Sequence, residues 1–399
     1  MDALTTPLPK AWQRVRLGDI AEIIGGGTPS TQITSFWNGS INWFTPTEIG
    51  ITKYVYKSQR TITPLGLKKS SAKLLPIGTI LLTSRASIGD CAILKVVATT
   101  NQGFQSLIPL EKINNEFLYY LILTLKNKLL KLASGSTFLE VSPNKIKNLL
   151  IPLPPLNEQI AIANILSALD RYLCSLDALI LKKESVKKAL SFELLSQRKR
   201  LKGFNQNWQR VRLGDICEFG NGGAYETLIV ENGDFKLISL NSIDIDGNLK
   251  NTMKRVNFYD NSLKQDDIVM VLSDVAHGDF LGLCAVIPSN DYVLNQRMGR
   301  LRKRNDCINI LFLRLYINAN QKYFKMQGQG SSQLNLSKKA IEDFEIPIPP
   351  LDEQIAIANV LSGLDSEIIS LKNKKRQFEN IKKALNHDLM SAKIRVLKK

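Results

Sequence analysis

Histidine is nearly missing from this sequence: of 399 residues only His277 and His387 are histidines, and they lie far apart. A histidine-based metal site is therefore not expected. Cysteine is sparse as well. Cys91, Cys174, Cys217, Cys284 and Cys307 form no CxxC pair and no dense cluster, so they offer no zinc framework and suit a reducing cytosol. No apolar run approaches the roughly 20 residues that cross a bilayer. The opening MDALTTPLPK has neither a basic nor an apolar leader segment, so no secretory signal is expected and the chain is read as cytoplasmic. There is no GxxxxGK[ST] loop for a nucleotide. Gly25-Gly26-Gly27 runs into Thr28-Pro29-Ser30 rather than a helix, which favours a turn where the backbone passes close to something. The Pro-Pro pairs at 154–155 and 349–350 are followed by Leu156 and Leu351, not by the aromatic residue of an amino-methyltransferase motif. No pair of carboxylates stands at a nuclease-like spacing. Catalysis by this chain has no visible support.

What the sequence has in surplus is positive charge. Lys and Arg number 53 against 36 Asp and Glu, a net of +17. Such a surplus points to a polyanion, nucleic acid before a membrane surface, because no basic amphipathic anchor stands out.

The chain also repeats itself. WQRVRLGDI at 12–20 recurs at 208–216, and PLPPLNEQIAIANILSALD at 152–170 recurs as PIPPLDEQIAIANVLSGLD at 347–365, with 15 of 19 positions identical. GSTFLEVSPNKIKNLLIP at 135–152 aligns with GSSQLNLSKKAIEDFEIP at 330–347, and NQGFQSL at 101–107 with NQRMGRL at 295–301. A period near 195 is far longer than the 20–50 residues of a solenoid unit, so each copy is a domain followed by a helix. The domains occupy 1–156 and 201–351, and the helical segments 157–200 and 352–399.

Val, Ile, Thr and Tyr between Gly- and Pro-containing turns predict mixed strands, with strands near 78–82 and 91–97 and a helix over 115–132. The domains are read as α/β or α+β. After each Pro-Pro pair, Asn157 and Asp352 are predicted N-caps, with Glu158 and Glu353 facing the positive helix end. Leu166, Leu169, Leu173, Leu176 and Ile180 then follow 3–4 spacing, as do Leu361, Leu364, Ile368, Leu371, Phe378 and Leu385. Such a stripe is a coiled-coil seam. The two helices, each about 40 residues or roughly 60 Å, are expected to pair antiparallel, with the basic tail from 385 to 399 fraying.

Within EQIAIAN, Ile160 and Ile162 lie about 200° apart on a helical wheel, as do Ile355 and Ile357. Each helix start is thus apolar on two sides. The second side either packs on its own domain or docks a partner protein; the residues concerned are Gln159, Ile160, Ile162, Asn164, Gln354, Ile355, Ile357 and Asn359.

IGGGTPSTQITSFWNGSINWFTPTEIG at 24–50, the SRASIGDCAI and NQGFQSL segments, and the doubled PPL(N/D)EQIAIAN element resemble the specificity subunits of type I restriction–modification systems, over essentially the whole chain. The second half departs from the GGTPS series, as two domains reading different half-sites would. The resemblance implies two target-recognition domains, each reading one half of a split double-stranded DNA target, with an antiparallel coiled coil as spacer. It implies two modification subunits carrying S-adenosylmethionine, restriction subunits using ATP and Mg, and no cofactor in this chain. Same-face docking would place the half-sites about 10–10.5 bp apart, centre to centre. For phosphate contact the candidates are Lys53, Lys57, Arg60, Lys68, Lys69 and Lys73. Arg85, Gln105, His277, Arg297, Arg300, Arg302, Lys303 and Arg304 are further DNA-binding candidates. Asn101-Gln102 recurs as Asn295-Gln296, which favours a backbone role for that pair. A stand-alone DNA enzyme and a coiled-coil scaffold that ignores DNA are the alternatives.

Overall fold

The recurrent QRVR segments form the same element in both copies of the computed structural model, which describes residues 8–135, 139–275 and 278–396. Gln13–Arg16 pairs antiparallel with Leu150–Leu153, and Gln209–Arg212 with Glu345–Ile348. Each ribbon joins the start of its copy to the segment before the Pro-Pro pair. The chain divides into two compact units, residues 1–178 with 373–399 and residues 179–372.

In the first unit a five-stranded sheet runs in the order Ala21–Gly25, Gln105–Pro109, Ile80–Leu82, Cys91–Leu94, Tyr54–Val55, and a second sheet in the order Arg60–Ile62, Trp37–Phe44, Ala98–Thr100. The expected strand at 91–97 stops at Leu94. Its sheet-facing apolar run ends there, before the exposed Val97. Helix α1 (Asn115–Leu132) is capped by the Asn114 side chain, which accepts from the Phe117 amide. It buries Phe117, Leu118, Tyr120, Leu121 and Ile122 in the core with Ile80, Leu82, Ile93 and Leu107.

The second unit follows the same plan. A four-stranded sheet runs Cys217–Asn221, Met298–Lys303, Ile268–Val271, Cys284–Val286, and a three-stranded one Lys254–Val256, Phe235–Ile238, Tyr292–Leu294.

Two 40-residue helices complete the units: α2 (Leu156–Leu195) and, after α3 (Ile310–Ala319), α4 (Leu351–Met390). Both begin one residue before the expected range. Asn157 and Asp352 lie inside the first turn, where each carboxamide or carboxylate accepts from the next amide. The proline before each helix sets the boundary, since Glu158 and Glu353 already donate their amides to Pro155 and Pro350. In the first unit α2 and α4 run antiparallel: Asp177 meets Lys375 at 2.6 Å, Asp170 meets Lys382, and the Tyr172 and Phe378 rings lie 4.8 Å apart. In the second unit Lys183 meets Glu367 at 2.8 Å and Glu184 meets Lys372 at 2.7 Å. Leu166 and Leu176 are buried in the first unit, and Ile180, Leu361 and Ile368 in the second, with Leu166 and Leu361 joining the domain cores.

Candidate nucleic-acid interface

The doubled EQ dipeptide explains how each helix is seated. The Glu158 carboxylate, almost fully buried, accepts from Trp12 Nε1 at 3.0 Å and from Arg395 at 2.8 and 3.0 Å. Glu353 repeats this with Trp208 Nε1 at 3.0 Å and Arg200 Nε at 3.0 Å. Gln159 accepts from the Asn114 amide and donates to the Lys112 and Pro154 carbonyls; Gln354 does the same with Asn309, Cys307 and Pro349. The expectation of a docking role for Gln159 and Gln354 is corrected: both satisfy buried backbone groups of their own unit. Ile162 and Ile357 are corrected likewise, being 0% and 1% exposed within the cores. Ile160 and Ile355 remain 41% and 40% exposed, with Asn164 and Asn359 exposed beside them. One apolar side of each helix start is thus spent on its own domain and the other faces out. Helix α4 ends at Met390, short of the expected 399. The non-helical chain after it stays packed through residue 396, with Leu389 and Met390 buried and Arg395 holding Glu158; residues 397–399 lie outside the described residues.

In the first unit the glycine run packs as a close approach. A Cβ on Gly26 would lie 1.9 Å from the Asn101 carbonyl oxygen, and one on Gly27 2.3 Å from the Ala72 nitrogen. Trp43 Nε1 donates to the Gly27 carbonyl at 2.8 Å and Trp37 Nε1 to that of Ser30 at 3.0 Å. The Arg60 guanidinium stacks 3.8 Å from the Trp37 ring centre, a cation–π contact that steadies an exposed charge. Lys57, Lys68, Lys69 and Lys73 are exposed on the segments around it, with no ion-pair partner among the described residues. Arg85 is tied to Glu140 at 2.8 Å.

Two expectations in this unit are overturned by burial. Lys53 is not a free phosphate ligand. Its ammonium contacts Glu116 and donates to Tyr120 Oη at 2.8 Å and Ser167 Oγ at 2.9 Å, joining the domain to α2. Burial, outweighing the opposing pull of Glu116, lowers its pKa. Gln105 is buried at the end of its strand, and its Oε1 finds no hydrogen-bond partner, so it is not displayed to a groove.

In the second unit most candidate cations on one strand and its exit are spoken for. Arg300 pairs with Glu218 at 2.6 Å, Arg302 grips Asp267 at 2.6 and 2.8 Å, Lys303 meets Asp306 at 2.8 Å, and Arg304 donates to the Gly214 carbonyl at 3.3 Å. Arg297 differs, being exposed and without such a partner among the described residues. His277 lies outside the described residues. Asn295 is buried and its Oδ1 accepts from the Tyr225 amide at 3.1 Å, while Asn101 Oδ1 accepts from the Gly103 amide at 2.9 Å. Sequence reasoning missed the Trp–Glu–Arg clamps, although Arg200 and Arg395 stand 195 residues apart like the glutamates they hold.

Each copy is thus a mixed α/β domain clamped to a long helix. Residues 9–183 and 205–380 match the sequence model of the type I restriction modification DNA specificity domain, and the chain belongs to this family. It is 43% identical over 167 residues to the type I restriction enzyme MjaIX specificity subunit of Methanocaldococcus jannaschii, a match spanning 41% of this chain but 39% of that protein. The MjaVIII specificity subunit of the same organism is 27% identical over 98% of this chain and 94% of its own length. The crystal structure of a type I restriction–modification S subunit from M. genitalium shares the fold, with a TM-score of 0.62 at 19% identity over 96% of this chain and 98% of that one. No helix among the described residues is long and apolar enough to cross a membrane.

Proposed function

We propose that this chain is the DNA-specificity subunit of a type I restriction–modification complex, each domain reading one half of a bipartite double-stranded target. The observation that carries the reading is the repetition itself. The helix-seating residues Trp12, Glu158 and Gln159 recur as Trp208, Glu353 and Gln354, while the loops around the glycine run and the Asn-Gln turn carry different side chains. A frame kept twice with its loops varied suits one binding task performed on two sequences. The phosphates would position each domain and base edges would specify it.

The chain supplies recognition, and the methyl transfer and cleavage belong to partner subunits. Those partners would bring S-adenosylmethionine, and ATP with Mg where a restriction subunit is present. The outward faces of Ile160 with Asn164 and of Ile355 with Asn359 dock the modification subunits, one on each copy. The paired helices set the gap between half-sites.

The test is a map of methylated bases across the host genome with and without this gene, the modification subunit being expressed in both. Loss of one split motif is expected. Retention of every motif would remove the proposal.

A further inference from the structure

The turn carrying the repeated Asn-Gln is held by one set of backbone bonds in both units. In the first, Gly27 N donates to the Thr100 carbonyl at 2.8 Å, Asn101 N to that of Phe44 at 3.0 Å, and Ser84 N to that of Gly103 at 2.8 Å. In the second, Gly223 N donates to the Leu294 carbonyl at 3.0 Å, Asn295 N to that of Ile238 at 3.0 Å, and Leu272 N to that of Arg297 at 2.9 Å. The close approach is repeated too, a Cβ on Gly222 falling 2.1 Å from the Asn295 carbonyl oxygen. These hydrogen bonds are kept, but the residue after Asn-Gln and its backbone conformation are not, since only Arg297 is left-handed. That residue is Gly103 in one copy, where an added Cβ would meet the Pro46 ring at 2.7 Å, and Arg297 in the other.

Arg297 adopts φ +70°, a left-handed conformation that favours glycine. It lines a cavity of about 180 Å3 together with Glu226, Ser239, Asn241, Lys254 and Gln296. A guanidinium with no ion-pair partner among the described residues, in a cavity that also holds amide and hydroxyl groups and the Glu226 carboxylate, is equipped for a base edge. Guanine, with O6 and N7 both accepting in the major groove, matches its paired donors.

We infer that Arg297 is the guanine-reading residue of the second domain, placed by a turn that the first domain builds with glycine and leaves bare. The inference rests on the proposed DNA-recognition role. Its test compares wild-type chain with Arg297→Gly and Arg297→Lys, each assembled with modification subunits, in methylation of a library of duplexes varied in both half-sites. Glycine fits the left-handed backbone, so the first variant removes the guanidinium without straining the turn. Lysine keeps the charge but loses the two-pronged geometry. Both variants should lose roughly 10- to 100-fold discrimination at a single G·C pair in one half-site, the other half unchanged. Unaltered preference, uniform loss of methylation at all sequences, or wild-type behaviour of Arg297→Lys would each overturn the inference while leaving the bipartite reading intact. Absence of any bipartite preference in the wild-type complex would instead remove the functional proposal beneath it.

Discussion

A carboxylate taken out of water needs partners, and Glu158 and Glu353 each have three donors from two side chains. That requirement accounts for the glutamate two residues beyond Pro-Pro-Leu, in the first turn of each helix. Replacing Arg200 by Ala leaves Glu353 with Trp208 alone and should lower the unfolding midpoint of the second unit, read by denaturant titration of Trp208 fluorescence. The neighbouring Gln354→Ala strands the Asn309 amide and the Cys307 and Pro349 carbonyls, and should cost about 1–3 kcal/mol in the same measurement. Thiol chemistry gives a second residue-scale expectation. Burial raises the pKa of Cys91 and Cys284 and pushes Cys217 up to about 12, whereas Cys174 and Cys307 are exposed. A thiol reagent at pH 8 should therefore modify Cys174 and Cys307 quickly in the native chain, and the other three on unfolding. Fast reaction of a third cysteine would contradict the packing of these cores. At this scale the sequence was least informative. Lys53 lies in a basic stretch and looks solvated, but tertiary contacts with Glu116, Tyr120 and Ser167 decide its place. Nothing local in the sequence announces those partners.

Elements were more legible because their signals are local and periodic. The helix expected over 115–132 spans Asn115–Leu132, its start fixed by an asparagine cap. Of the 3–4 stripes of α2 and α4, Leu166, Leu176, Ile180, Leu361 and Ile368 are buried and the other positions half-buried. The helix starts were misjudged by a residue because the proline, not the asparagine or aspartate after it, sets the boundary. The two-sided apolar start resolves into a buried and an exposed face, which a wheel diagram can detect but cannot allocate. Leu166, fully buried between α2 and the first core, should cost about 2–5 kcal/mol when truncated to Ala, seen as a lower chemical-denaturation midpoint. Ile160→Asp should leave stability nearly unchanged, since that side chain is exposed, while weakening assembly with modification subunits in a pull-down. Intact assembly would take the outward face out of the docking account.

For the whole molecule, the opening surplus of positive charge is unevenly divided. Residues 1–150 hold 17 basic against 8 acidic side chains, and residues 201–350 hold 18 against 17. In the second unit, moreover, Arg300, Arg302 and Lys303 are neutralised by their own carboxylates. The first domain should then supply most of the phosphate attraction. Replacing Lys57, Lys68, Lys69 and Lys73 together by Ala should flatten the salt dependence of DNA binding by roughly one unit of log–log slope per lysine that meets a phosphate. An unchanged slope would place the phosphate contacts elsewhere. The duplication gave the chain's organisation away at sequence level. Which cations remain free did not show there, because ion pairing joins residues as distant as Asp267 and Arg302.

The central claim is that two copies of one frame read two independent half-targets. Exchanging residues 1–155 for the matching segment of another family member, followed by methylation mapping of the assembled complex, tests it most directly. One half of the split motif should change, with the other half retained. A change in both halves, or in neither, would contradict the account.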